Sequence, residues 1–310
     1  GTIDGATHNT GFGYAAFNAL TEGDYNVAMG IEALEQNTTG SRNHAFGSYS
    51  LSSNVSGNYN TGCGYGTLNQ NTASNNTAVG YEVMLDTVGG SNNTGLGYRA
   101  LTNNTSGAEN VAVGARSLET CRTGGVNTAI GHEALITLDS GTFNTAVGRR
   151  AGSNLTTGDY NTFIGSGTIA GTGNFGSGHY MTTGSKNTIL GPFNGNQNSL
   201  DIRTSSNNIV VADGDGQVGF HNVVNTSSIF GHVDVTRNEA TGNQILVGGG
   251  ATVNLFGGIN SFSGIFLIND FTATGKVCLV MTGGGEISII HQTSSEFVVS
   301  NDPNLNQYGI

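Results

Sequence analysis

The sequence predicts an all-β protein: a parallel β-roll or β-solenoid shaft of about 17-residue coils, followed by a small C-terminal β-sandwich-like tip. Three observations carry this. Asparagine recurs at positions 9, 26, 43, 60, 76, 93, 110, 127, 144 and 161, opening a phrase of the form Asn-x-[Ala/Gly]-apolar-Gly. Counting that asparagine as place 0, a bulky apolar residue stands at place 8 in Leu34, Leu51, Leu68, Met84, Leu101, Leu118 and Leu135, and a second glycine at place 14 in most coils. After Gly191 the period stops and longer apolar runs begin. A coil of this size cannot bury a core alone, so it is stable only when stacked on its neighbours.

The shaft is assigned to residues 1–191. Each coil reads as two short extended runs, each closed by a glycine free to adopt φ > 0. Place 3 holds Phe12, Met29, Phe46, Cys63, Val79, Leu96, Val113, Ile130, Val147 and Ile164, and is expected to form the inward ladder. Place 2 is Ala or Gly in nine coils of ten, and on the opposite strand face it is expected to admit another backbone. Cys63 is accordingly expected inside, as a small hydrophobe. With two large apolar places per coil a lone chain encloses only a thin core, which favours a homotrimer sharing the small-residue face about the long axis. The asparagines are expected to stack as a ladder of amides. Asn26, Gly30 and Leu34, and again Asn127, Gly131 and Leu135, typify the structural places. Irregular coils from Asn174 and Asn187 finish an array on the order of 55 Å long, at roughly 4.8 Å per coil.

Residues 192–241 read as connector, hairpin and neck. Asn208–Phe220 is two apolar runs about an Asp-Gly turn, a hairpin pattern. Asp213 and Asp215 offer only a fragment of a calcium loop, which needs six to eight oxygen ligands. Residues 242–310 form the C-terminal β-domain, with strands expected over 244–256, 264–271, 276–281, 286–292 and 296–300.

Composition narrows the function. The net charge of −11, with Lys and Arg never clustered beyond Arg149-Arg150, repels phosphate backbones and argues against nucleic acid as a partner. No apolar stretch reaches the length of a membrane span, so membrane insertion is not expected. Cys63, Cys121 and Cys278 lie far apart, with neither a disulfide framework nor zinc spacing, and no metal or cofactor is called for. Starting at Gly1, the chain reads as a processed or partial polypeptide.

The phrase Asn127-Thr128-Ala129-Ile130-Gly131-His132-Glu133-Ala134-Leu135 resembles repeats of bacteriophage tail fibres and, more distantly, the head repeats of trimeric autotransporter adhesins. Leu200–Gly216 is similar to the segment that follows such repeats in phage fibres. The resemblance covers roughly the first 220 residues. It implies a homotrimeric shaft, a virion tail-fibre location outside the cell, other tail or appendage proteins as partners, and a host-attachment role. It transfers no catalytic residue, so the chain is not expected to be an enzyme. Recognition is expected at tip loops, with a host-surface glycan or outer-membrane protein as receptor. The candidate receptor-binding residues are Asn260, Phe262, Asn269, Asp270, His291, Asn301, Asp302 and Tyr308.

Three alternatives follow from the same residues. A bacterial trimeric surface adhesin would use the same shaft. A glycan-depolymerising tailspike needs two carboxylates about 5–9.5 Å apart. Glu32, Glu82 and Glu133 share one register, which is expected to be a solvated face that discourages edge aggregation. An ice-binding solenoid would need an unbroken threonine ladder, and Val27, His44 and Val111 interrupt the column at place 1.

Overall fold

A computed structural model describes residues 5–167, 175–197, 199–223, 246–247, 264–269, 277–283, 286–293 and 296–300. Its regular structure is all β, in two compact units, Gly1–His221 and Asn222–Ile310.

In the first unit a three-residue strand opens each coil: β1 (Thr10–Phe12), β2 (Val27–Met29), β3 (His44–Phe46), β4 (Thr61–Cys63), β5 (Thr77–Val79), β6 (Thr94–Leu96), β7 (Val111–Val113), β8 (Thr128–Ile130), β9 (Thr145–Val147), β10 (Thr162–Ile164) and β11 (Thr188–Leu190). Each lies parallel to the next at the same place, Thr94 beside Val111 and Leu96 beside Val113. The asparagine period is therefore the register of the sheet, and the chain is a β-solenoid. The stack continues past Gly191, where the sequence suggested a connector. β12 (Asn196–Gln197) and β13 (Leu200–Asp201) make a small antiparallel pair, and β14 (Asn208–Ala212) then returns beside β11. β15 (Val218–Val223) follows β14 in the sheet after a turn at Asp213–Gly216, so the expected hairpin forms. Asn174, where the sequence suggested a further coil, lies outside the described residues. β10 pairs directly with β11, so the ladder steps from Asn161 to Asn187 across a longer stretch of chain than in the earlier coils.

The asparagine side chains bond both within and between coils. In the regular coils Nδ2 donates to the place-14 carbonyl of its own coil, as Asn127 does to Gly141 at 2.8 Å. Each Oδ1 accepts the N–H of the following asparagine, as Asn127 does from Asn144 at 2.9 Å. The chain of bonds runs unbroken from Asn9 to Asn161 and on through Asn187 to Asn208. These asparagines are buried because the amide supplies one donor and one acceptor to backbone groups that water cannot reach.

The interior reverses one expectation. Place 2 points inward: Ala28, Ala45, Ala78, Ala112, Ala129 and Ala146 are fully buried against the place-8 Leu and Met side chains. Place 3 points outward, with Leu96 47% and Ile130 41% exposed, and Cys63 is exposed with them. The reason is width. At Gly95 even a methyl would come within 2.6 Å of Val83, so a flattened coil holds its place-8 leucine and little more opposite it. The exception supports this. Phe163 stands at place 2, and the space for its ring comes from Gly152 and Gly178, where a Cβ would fall 2.7 Å and 2.6 Å from it. Place 11 is a second buried column that the sequence reading did not single out. It holds Leu20, then Asn37, Asn54, Asn71, Thr87 and Asn104, and later Cys121, Leu138 and Leu155. Burial pushes the Cys121 thiol up to about 12, which leaves it inert.

The turns also differ from the glycine rule. The glycines at place 4 from Gly13 to Gly165 take φ between 129° and 143°, as at Gly64 and Gly30. Those at place 14 are not left-handed. A Cβ at Gly90 would lie 2.1 Å from the Gly107 carbonyl oxygen, so close stacking is what excludes a side chain. Left-handed residues instead include Arg99 (φ 55°) and Leu101 (φ 53°) at places 6 and 8. That conformation costs about 1–2 kcal/mol per residue. It is held by bonds to neighbouring coils, Arg99 N–H to Tyr81 O at 2.9 Å and Leu101 N–H to Ser117 O at 3.0 Å.

In the second unit, β16 (Leu246–Val247), β17 (Gly264–Asn269), β18 (Val277–Gly283), β19 (Glu286–Thr293) and β20 (Glu296–Ser300) form one sheet in that order. A strand falls within each of the five expected segments, the first only over Leu246–Val247 among the described residues. β16 lies parallel to β17 and the rest form an antiparallel meander. Among the described residues they make a single sheet and not two packed sheets.

Candidate interaction face

The strand alternation that buries place 2 turns places 1 and 3 to the same outer face. Of the twenty large hydrophobic side chains exposed among the described residues, eighteen fall on three columns. Place 3 contributes Phe12, Met29, Phe46, Leu96, Ile130, Ile164, Leu190 and Val211. Place 5 contributes Tyr14, Ile31, Tyr65, Tyr81 and Tyr98, and the residue before each asparagine contributes Tyr25, Tyr59, Val126, Phe143 and Tyr160. Only Val55 and Val88 lie elsewhere. The concentration of apolar side chains along the strands, and not their number, sets this face apart from an ordinary surface. Threonine alternates with it at place 1, so a two-column array does exist, but its second column is bulky and apolar.

The flanking columns are ordered by ring contacts. Tyr65, Tyr81 and Tyr98 stack at centroid distances of 5.4 and 5.6 Å with nearly parallel ring planes, and Tyr49 is edge-on to Tyr65. Phe143 stacks on Tyr160 at 4.9 Å, and the Arg42 guanidinium sits 5.3 and 5.5 Å from the Tyr25 and Tyr59 rings. Because each ring covers its neighbour's face, these columns present edges outward.

At place 6, Glu82 and Glu133 belong to an ion ladder and not to the solvated carboxylate face the sequence suggested. Glu133 is 13% exposed and lies between Arg150 at 2.6 Å and Arg116 at 3.3 Å, while Glu119 bridges Arg116 at 2.6 Å and Arg99 at 3.4 Å. Burial alone would raise the Glu133 carboxyl. The Arg150 hydrogen bond and the charges of Arg150, His132 and Arg116 outweigh it and hold the group below its usual range. The Arg122 hydrogen bond similarly lowers Asp139, and that of Arg203 lowers Asp201. Groups lowered in the folded state contribute stability above their unfolded pKa and lose it as pH falls through the folded value. The melting temperature is therefore expected to be level from about pH 7 to 5 and to fall below about pH 4. Glu133→Gln should flatten that fall, which thermal melts across pH will show.

A serine–histidine pair that the sequence reading missed joins the Asn144 coil to the long coil, Ser153 Oγ against His179 Nδ1. At 3% and 9% exposure it is closed to substrate, and it ties Ser153 to the long coil stacked beside it. Burial, and then the Arg150 charge, lower the His179 pKa, which favours the neutral ring. Among the described residues no cluster of His, Cys, Asp or Glu is arranged to hold a metal ion, and no helix is long and apolar enough to cross a membrane.

Of the expected receptor-binding residues, Asn269 ends β17 opposite Val277, and His291 lies in β19 between Cys278 and Val298. They stand on different strands of one sheet. Asn260, Phe262, Asp270, Asn301, Asp302 and Tyr308 lie outside the described residues, as does the neck proposed before β16. The structural residues Asn26, Leu34, Asn127 and Leu135 are buried, and Gly30 and Gly131 turn their coils with φ of 143° and 134°.

Comparison with family models, with curated proteins and with solved structures returns no match.

Proposed function

We propose that the chain is an extracellular fibre protein, a homotrimer whose solenoid is the shaft and whose C-terminal sheet meets the receptor. The observation that carries this is the apolar face along β1–β11 and β14. Three copies facing one axis would bury it, with the place-3 column innermost and the ring columns at the seams. The trimer axis thus moves from the small-residue face to the large-residue face, because place 2 is already consumed inside each coil. The resemblance of the coil phrase to phage tail-fibre repeats supports attachment to a host-surface glycan or outer-membrane protein. A trimer multiplies weak contacts through effective concentration. A bacterial surface adhesin is the second reading, since the same shaft and face serve it equally.

The attachment reading is tested by incubating the labelled chain with arrayed bacterial surface polysaccharides and outer-membrane extracts while assaying released reducing ends. Saturable binding without sugar release is expected. Release of oligosaccharide would instead identify a depolymerising spike, and the absence of binding to every surface would remove the attachment role.

A further inference from the structure

Each strand crosses the apolar face from the residue before its asparagine towards place 5, so those two columns form opposite flanks of the face. In one chain the flanks stay apart. Ring contacts run along a flank, Tyr81 to Tyr98 or Phe143 to Tyr160, and none joins one flank to the other among the described residues. The flanks nevertheless change character together. In the coils of Asn76 and Asn93 the first flank carries Asn75 and Asn92 and the second carries Tyr81 and Tyr98. In the next coil the first flank turns to Glu109, and on the second the tyrosine column stops at Ala115, whose small side chain leaves the flank open to the Arg116 guanidinium.

Both flanks hold unused bonding capacity at these coils. Asn75, Asn92 and Glu109 are exposed, and their side chains have no hydrogen bond or ion pair among the described residues. Opposite them, Arg116 donates from Nε to Glu119 and from Nη1 to Glu133, which leaves its Nη2 donors. The Tyr81 phenol donates to Glu82 and keeps its acceptor lone pairs. Amides and a carboxylate on one flank thus match phenols and a guanidinium on the other. A closed threefold ring joins unlike patches and has no rise along its axis, so each seam sets the first flank of one copy against the second flank of the next at the same coil.

We infer that copies of this chain meet along a parallel, in-register seam in which Asn75 bonds to the partner's Tyr81, Asn92 bonds to the partner's Tyr98, and Glu109 pairs with the partner's Arg116. This seam presupposes the three-chain assembly proposed above, and it fixes which flank meets which, at what register and through which polar groups.

Cross-linking and mass together test it. In a Cys63→Ser, Cys278→Ser background, where the remaining Cys121 is buried, Asn92→Cys and Tyr98→Cys are made singly and together and treated with a bismaleimide too short to cross the face of one chain. Light scattering gives the native mass, and denaturing electrophoresis the covalent one. Only the double variant should link three chains, because a threefold ring holds like residues on its flanks apart. Glu109→Lys, which sets like charges together at Arg116, should raise the trimer dissociation constant at least about tenfold, and Glu109→Gln should raise it less. A trimer whose double variant does not link, or whose single variants link to one another, overturns the seam and leaves the shared axis standing. Unchanged dissociation of the Glu109→Lys trimer overturns the seam as well. A monomeric unmodified chain removes seam and axis together.

Discussion

Replacing Asn127 by Ala should destabilise the solenoid by about 2–6 kcal/mol, because two buried backbone groups lose their partners at about 1–3 kcal/mol each. One is the Gly141 carbonyl, which accepts Asn127 Nδ2, and the other is the Asn144 N–H, which donates to Asn127 Oδ1. Leu138 occupies place 11 of that coil and offers no replacement donor. Asn26→Ala provides the internal comparison. Its place-14 carbonyl, Gly40 O, also accepts Asn37 Nδ2 at 2.9 Å, so only the Asn43 N–H is orphaned. The expected loss there is about 1–3 kcal/mol. Denaturant unfolding of both variants decides the matter. Equal losses would mean that the amide ladder is not what satisfies the coil interior.

Substituting glutamate for Leu96 and Ile130 together should convert the proposed trimer to single chains while leaving each solenoid folded. Both side chains point out of their coils, so the changes open no cavity and bury no charge within one chain. In a three-chain assembly they would set like charges against one another in a site closed to water, at a cost of several kcal/mol. Sedimentation shows the change in mass, and circular dichroism shows that the coil remains. The mirror experiment, Ala112→Glu, should unfold the chain, because place 2 is fully buried.

Much of this fold was legible in the sequence because the period fixes the register. In a parallel stack, the residue that repeats is the residue that pairs, so Asn, Gly and Leu at places 0, 4 and 8 could be positioned without coordinates. The sidedness of the strand was not legible. Alternation assigns places 2 and 3 to opposite faces but does not say which is inside, and the rule that large residues go inside chose wrongly. Phe163 with Gly152 was the available clue. A large residue at place 2 coincides with a lost one at place 8, which requires both to occupy one interior. The stack beyond Gly191 was hidden because the long insertions before Asn187 and Asn208 break the 17-residue spacing while preserving the ladder. Glu133 looked solvated because Arg116 and Arg150, one coil away on either side, are distant in sequence but adjacent in the stack. The receptor site had no signal beyond loop composition, and Asn269 and His291 show only that two candidates occupy β17 and β19.

The most direct test of the shared axis is the solution mass of the unmodified chain by light scattering. A mass near three times the 31.7 kDa of one chain is the expected result. A stable monomer, with Leu96 and Ile130 open to solvent, would contradict it.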